Sequence, residues 1–312
     1  MMFAKRRRSI NLQVKTTDLY PYYMHSIRTL AFNQRLSELE VLEIDNPSCT
    51  AKIALQGAQI LQFQPKQSAQ PLLWLSSANS GKKGKALRGG IPLCFPWFGS
   101  HPQGLQPAHG FARNQLWTLQ EVSYEAEQAT HHVDFTLQDS PATRQIWAHA
   151  FRLKLRISCG ETLNLYLQVE NTGHKAFDFS FAWHSYFQVK QIQHTQIQGL
   201  QQAEFMDQLN HHQRDVEDQA VTFQQETDRI YPKALGHYRI EQADAQTISI
   251  RAPECDSVVV WNPWQAKAER LGDIVAGDWQ RFVCVEVGQI APQQVRLAAG
   301  AASYYQLQIA HV

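Results

Sequence analysis

The sequence predicts an all-β protein, and three observations carry that prediction. Apolar residues recur with a period of two over many short stretches. Gly, Pro and Asn punctuate the chain at intervals of roughly 8 to 15 residues, the spacing of strands joined by turns. No window carries the i, i+3, i+4 spacing of a long amphipathic helix, and the polar stretch Asn210 to Asp218 has too few apolar residues to dock one. This pattern builds a sandwich or barrel, not an alternating strand–helix fold. The chain has 312 residues, and no linker, composition break or internal repeat divides it. One large all-β domain over residues 36–312 is therefore expected, preceded by a basic extension, residues 1–35.

The extension holds Lys5, Arg6, Arg7 and Arg8 and several tyrosines without a clear period, and reads as a solvated tail. From about Leu39 the alternation begins with Leu39 and Val41, then Ile53 and Leu55, then Ile60 beside Leu61 and Phe63. The central part alternates most clearly. Phe151, Leu153, Leu155 and Ile157 form one strand face, Leu163, Leu165, Leu167 and Val169 the next, with Ser158 to Glu161 as the connection. Phe177, Phe179, Phe181 and Trp183 form another face, followed by Val258 to Val260 and Phe282 to Val287.

Charge and cysteine content exclude several functions. With 29 Lys+Arg against 28 Asp+Glu, the net charge is +1, so no global field draws the chain to nucleic acid or an anionic membrane. Any anion recognition must be local. Cys49, Cys94, Cys159, Cys255 and Cys284 are odd in number and scattered, without a CxxC pair, which suggests a reducing, cytoplasmic setting and no zinc knuckle. The apolar stretch Ile91 to Phe98 is broken by Pro92 and Pro96 and is too short to span a bilayer. Nothing in the sequence sets an oligomeric state, and a monomer is compatible with it.

Four segments carry candidate chemistry. In ALRGGIPLCFPWFGS, Gly89 and Gly90 relax the backbone beside Arg88, which either anchors a phosphate or carboxylate or ties down a proline-rich loop. Lys82, Lys83 and Lys85 match no phosphate-binding loop and read as surface charges. In PAHGFARNQLW, a turn at Gly110 could direct His109 and Arg113 to one pocket, although a His beside Gly is more often structural. The pairs His131–His132 and His211–His212 read as surface residues, since neighbours on a strand face opposite ways. In FDFSFAWHSYFQV, the alternation sets His184 on the face opposite the aromatic row, as a general acid or base or as an exposed strand histidine. In RFVCVEVG, Val283, Val285 and Val287 face one way and Phe282, Cys284 and Glu286 the other. A carboxylate there is either an enclosed base or a strand-rim residue.

The ordered set ALRGGIPLCFPWFG, PAHGFARN, WHSYF, FMDQL, VVWNPW and FVCVEVG, over residues 40–310, resembles the aldose 1-epimerase superfamily, and within it the hexose-6-phosphate mutarotases, or glucose-6-phosphate 1-epimerases. The resemblance implies a single-domain β-supersandwich of the galactose-mutarotase type, a sugar-phosphate substrate, and no metal or organic cofactor. It further implies His184 and Glu286 as the catalytic pair, Arg88 and Arg113 as phosphate ligands, and His109 and Asp207 as sugar contacts. Where members carry Gln before the His-Gly pair, this chain has Ala108 and lacks that contact. The implied reaction opens the sugar ring with a carboxylate base and an imidazolium acid on opposite sides of the sugar. A glycosidase would want two carboxylates about the scissile bond, and a mere binding module would need no His/Glu pair.

Overall fold

The computed structural model describes residues 25–32, 35–234, 236–290 and 294–312. The basic run Lys5 to Arg8 lies outside the described residues, whereas His25–Phe32, within the segment set apart by sequence, is a strand paired with Arg35–Asp45. These two continue into Cys49–Ala54 and Gln59–Pro65 as a four-stranded antiparallel sheet in sequence order.

Two larger sheets make the body. The nine-stranded sheet has Ala302–His311, Leu163–Asn171 and Phe151–Cys159 at its centre, and the predicted hairpin closes between Cys159 and Leu163. The eight-stranded sheet runs Gln213–Val216, Glu204–Asp207, Thr227–Tyr231, Ser257–Asn262, Phe282–Gln289, Phe181–Trp183 and Leu93–Cys94, with Tyr186–Gln188 also paired to Phe282–Gln289. The longer of the two described α-helices, Trp264–Leu271, has eight residues, so the described residues hold no helix long and apolar enough to cross a membrane.

The sheets pack through one continuous apolar core running from Leu42 to Ile309. Leu153, Leu155, Leu165 and Leu167 of the nine-stranded sheet share it with Val258, Val260, Val283 and Val285 of the eight-stranded one, and the Phe181 and Tyr305 rings meet at 4.4 Å. Each such side chain, fully buried, contributes about 1.5 to 3 kcal/mol by removing apolar surface from water.

The row Phe177 to Trp183 is not one strand. It breaks at Ser180: Phe177–Phe179 pairs with Val295–Leu297, and Phe181–Trp183 pairs with Phe282–Gln289. Pro92 and Pro96 offer carbonyls but no N–H, so the Pro96 carbonyl takes the Ser180 N–H at 3.0 Å, while the Ser180 hydroxyl accepts from Phe98 N–H at 3.0 Å. That break fastens the proline-rich loop against the sheet and sets up the site.

Candidate active site

Pairing register, more than any single segment, assembles the site. Residues directly opposite on antiparallel strands share a face. Asp228 lies opposite Trp261, Ile230 opposite Val259, Val259 opposite Glu286, and Trp261 opposite Cys284, which lies opposite Tyr186. All of these therefore project to one side of the eight-stranded sheet, while Val258, Val260, Val283, Val285 and Val287 project into the core. Gly288 permits the next step inward. A Cβ there would stand 2.0 Å from the Phe181 carbonyl oxygen, so only glycine lets Phe181–Trp183 lie this close and bring His184 beside Glu286.

Above this face is a cavity of about 350 Å³ lined by Arg88, His109, Arg113, His184, Asp228 and Glu286, with Tyr186 and Trp261 as its aromatic walls. His184 and Glu286 are 6% and 1% exposed. His184 Nδ1 lies 3.3 Å from Glu286 Oε1, yet Nδ1 and the other carboxylate oxygen, Oε2, have no hydrogen-bond partner. The imidazole is held by packing: it stacks on Tyr186 at 4.8 Å and 7°, meets Trp261 edge-on at 6.0 Å, and its backbone N–H donates to the Pro92 carbonyl at 3.0 Å. Burial drives the His184 pKa well below its ordinary value, reinforced by His109, Arg113 and Arg88. Burial likewise drives Glu286 well above the carboxylate range, with Asp228 adding and the two arginines opposing. Each group thus favours its neutral form.

The expected placement of the pair on opposite sides of a sugar is not what forms. With 3.3 Å between them, His184 and Glu286 stand side by side and no sugar ring fits between those atoms. The C1 hydroxyl and the ring oxygen are bonded to the same carbon, so adjacent donor and acceptor groups reach both from one side.

Arg88 lies in the loop after Leu87 and is held from several directions. Its Nε is 3.1 Å from both Asp273 carboxylate oxygens, Nη2 is 3.0 Å from Asp273 Oδ2, and Nη1 donates to the Tyr186 hydroxyl at 2.9 Å. The residue lines the cavity, with N–H donors beyond those these contacts use. Arg113, on the short 3₁₀ turn Ala112–Asn114, donates through Nη2 to the Ala108 carbonyl at 3.0 Å and keeps its buried Nε unpartnered. So Ala108, which lacks the side-chain contact, orients Arg113 through its backbone.

His109 adopts φ +63°, a conformation uncommon outside glycine. Its Nδ1 accepts from the Gly99 N–H at 3.3 Å, which leaves the proton of the neutral ring on Nε2. Burial, Arg113 and Arg88 lower its pKa to about 3, so it is a neutral hydrogen-bond donor throughout the physiological range. Gly110 next to it has φ +67°, and a Cβ there would come within 2.1 Å of the Phe95 carbonyl oxygen.

Asp207 departs from its expected place. It is not among the residues lining the cavity; its carboxylate accepts the Leu209 N–H at 2.9 Å and closes a turn. The acidic residue in the cavity is Asp228, whose pKa burial raises to about 7. In TDRIY, Asp228 shares a face with Ile230 but stands between the polar Thr227 and Arg229, so no local apolar alternation marks it. Asp273, Tyr186, Trp261 and Lys267 also line the cavity and were not singled out by sequence. Elsewhere, His131 is not a surface residue: it is 1% exposed, with Nδ1 3.1 Å from Asn46 Nδ2, because its side of the strand Thr130–Gln138 faces the core. His211 and His212 are exposed, as are Lys82, Lys83 and Lys85.

These features match a known class. Residues 40–310 fit the model of the family "Aldose 1-epimerase", and the chain belongs to that family. A Salmonella typhimurium relative named "Putative glucose-6-phosphate 1-epimerase" is 37% identical over 264 residues, 84% of this chain and 87% of that protein. An Escherichia coli relative of the same name is 34% identical over 273 residues, 87% of this chain and 90% of its own. A Salmonella typhimurium crystal structure named as a "putative mutarotase" superposes with a TM-score of 0.85 at 33% identity, over 95% of this chain and 96% of that one. A galactose mutarotase-like protein from Lactobacillus casei, 17% identical, shares the fold with a TM-score of 0.68, over 87% of this chain and the whole of that one. The all-β, galactose-mutarotase-like architecture read from the sequence is thus the one observed.

Proposed function

We propose that the chain interconverts the α and β anomers of a hexose 6-phosphate, D-glucose 6-phosphate first among them, by opening and reclosing the sugar ring. One observation carries the reading: His184 and Glu286, buried and adjacent, with Nδ1 of one and Oε2 of the other lacking a hydrogen-bond partner, share a cavity with Arg88 and Arg113. Ring opening removes the proton of the C1 hydroxyl and delivers one to the ring oxygen. Glu286 takes the first and His184 gives the second; after rotation about C1–C2, the roles reverse on closure. The pair holds one ionisable proton; burial favours it on the Glu286 carboxyl in the free protein, and ring opening uses the form that carries it on His184 and leaves Glu286 ionised. Each well-placed acid or base contributes about 10²- to 10⁴-fold, and mutarotation already proceeds in water, so the reaction needs neither a nucleophile nor an electron sink.

Arg113, with its unpartnered Nε, and the remaining donors of Arg88 bind the phosphate, and that binding holds C1 over the pair. Asp228 and His109 contact sugar hydroxyls, as carboxylate acceptor and neutral donor. Residues 36–312 are the catalytic unit in this reading, and five buried free cysteines are in keeping with a reducing cytoplasm. Two-dimensional exchange NMR with glucose, glucose 6-phosphate, galactose 6-phosphate and mannose 6-phosphate tests the proposal. Faster anomer exchange for a hexose 6-phosphate than for glucose supports it; equal acceleration of glucose would move the substrate to unphosphorylated aldoses, and none for any sugar would leave only a binding protein.

A further inference from the structure

We propose that His184, Cys284 and Glu286 form a binding site for one borderline-soft divalent cation, Zn²⁺ above all, and that filling it switches off anomer exchange. The inhibitory half rests on the catalytic reading above; the binding half does not.

One donor atom from each residue, imidazole nitrogen, thiol sulfur and carboxylate oxygen, lies within 4.8 Å of the other two, and all three residues are buried. His184 Nδ1 and Glu286 Oε2 have no hydrogen-bond partner, so neither atom is committed to another group among the described residues. Ligands at about 2.0 to 2.3 Å from a tetrahedral Zn²⁺ stand roughly 3 to 4 Å apart. The 3.3 Å between His184 Nδ1 and Glu286 Oε1 already meets this, and the thiol, within 4.8 Å of the other two donors, needs to close by roughly 1 Å at most. Cys284 and Glu286 alternate on one strand and so project to the same side. His184 and Glu286 line the cavity, which gives an ion its route in and leaves a fourth position for water.

Charge also balances. A neutral imidazole, a thiolate and a carboxylate cancel a dipositive ion, so the complex brings no net charge into a buried site that already holds Arg88 and Arg113. Coordination forms the metal–sulfur and metal–oxygen bonds and releases to solvent both the thiol proton and the proton that burial keeps on the Glu286 carboxyl. Nitrogen and sulfur donors suit Zn²⁺ and Co²⁺, whereas Mg²⁺ and Ca²⁺ demand six or more mainly oxygen ligands.

Titration of the full chain with Co²⁺, followed by anomer exchange with and without Zn²⁺, tests this. The expected result is one Co²⁺ per chain with a thiolate-to-cobalt charge-transfer band, lost in both Cys284→Ser and Cys284→Ala. Zn²⁺ should slow wild-type exchange more than tenfold, reversibly on adding a chelator, with Mg²⁺ inert. Both Cys284 variants should exchange anomers near the wild-type rate and stay within twofold of it in Zn²⁺. Absence of the thiolate band, or equal Zn²⁺ sensitivity in the variants, overturns the site. A normal band with undiminished exchange would keep the metal site and overturn the role given to the pair.

Discussion

His184 Nδ1 and Glu286 Oε1 stand 3.3 Å apart, both buried, with no hydrogen bond between them. A polar atom buried without a partner costs about 1 to 3 kcal/mol. The surrounding packing maintains the arrangement: Tyr186 stacks on His184, and Gly288 admits the strand leading into His184 against the strand of Glu286. Two groups poised but unsatisfied are what a substrate with two reacting oxygens on one carbon can complete.

The pair should therefore weaken the free protein in a pH-dependent way. Glu286 has a raised pKa in the fold, so above its unfolded value near 4.5 the folded state holds a proton that the unfolded state has lost, and stability falls as pH rises through that window. Glu286→Gln removes the effect. Its melting temperature should exceed the wild type's at pH 8, and the gap should close toward pH 4.5, at up to about 1.4 kcal/mol per pH unit. A gap that is constant with pH, measured by calorimetry, would show that the carboxyl is not held neutral by burial.

The exchange of Asp207 for Asp228 in the cavity gives a direct contrast. Asp228→Asn should raise KM at least tenfold at pH 8 and leave the fold intact, whereas Asp207→Asn should change KM less than twofold. Asp228 titrates near 7. Its acceptor form is present above that pH, so wild-type kcat/KM should decline as pH falls through 7, and that limb should vanish in Asp228→Asn. The substrate phosphate ionises near 6 in both proteins and cancels in the comparison. Equal effects of the two substitutions would return Asp207 to the site.

The arginines should divide phosphorylated from free sugar. Arg113→Ala removes a guanidinium whose buried Nε has no partner in the protein, and should lower kcat/KM for glucose 6-phosphate by 10²-fold or more while changing that for glucose little. Arg88→Ala should do the same and also loosen Tyr186, to which Arg88 donates. It should therefore lower kcat for both sugars to a degree that Arg113→Ala does not. Steady-state rates on the two sugars separate the cases; parallel losses on both sugars for Arg113→Ala would remove the phosphate from that position.

What could be read from sequence was what depends on neighbours along the chain. Alternation in FVCVEVG put Glu286 opposite the valines, and in FAWHSYF it put His184 opposite Trp183, so both reached the face where the cavity forms. The break at Ser180 was not legible, because it answers to the Pro96 carbonyl and the Phe98 N–H, both remote in sequence. Asp228, between Thr227 and Arg229, lacked the apolar frame that marks Glu286, and its importance comes from register: it lies opposite Trp261, which lies opposite Cys284, two pairings remote in sequence. His131 was misplaced for a like reason, since its partner Asn46 is 85 residues away. The side-by-side geometry of His184 and Glu286 depends on Gly288 admitting a neighbouring strand, which no local pattern reveals.

The central claim is that His184 and Glu286 act as one acid–base unit on the anomeric centre. Exchange NMR on glucose 6-phosphate with wild type, His184→Ala, Glu286→Gln and the double variant measures it. Each single change should reduce the protein-catalysed rate by about 10²- to 10⁴-fold, and the double variant should lose little more than either, because neither group functions without the other. Exchange that persists in either single variant, or losses that multiply in the double, would contradict the account.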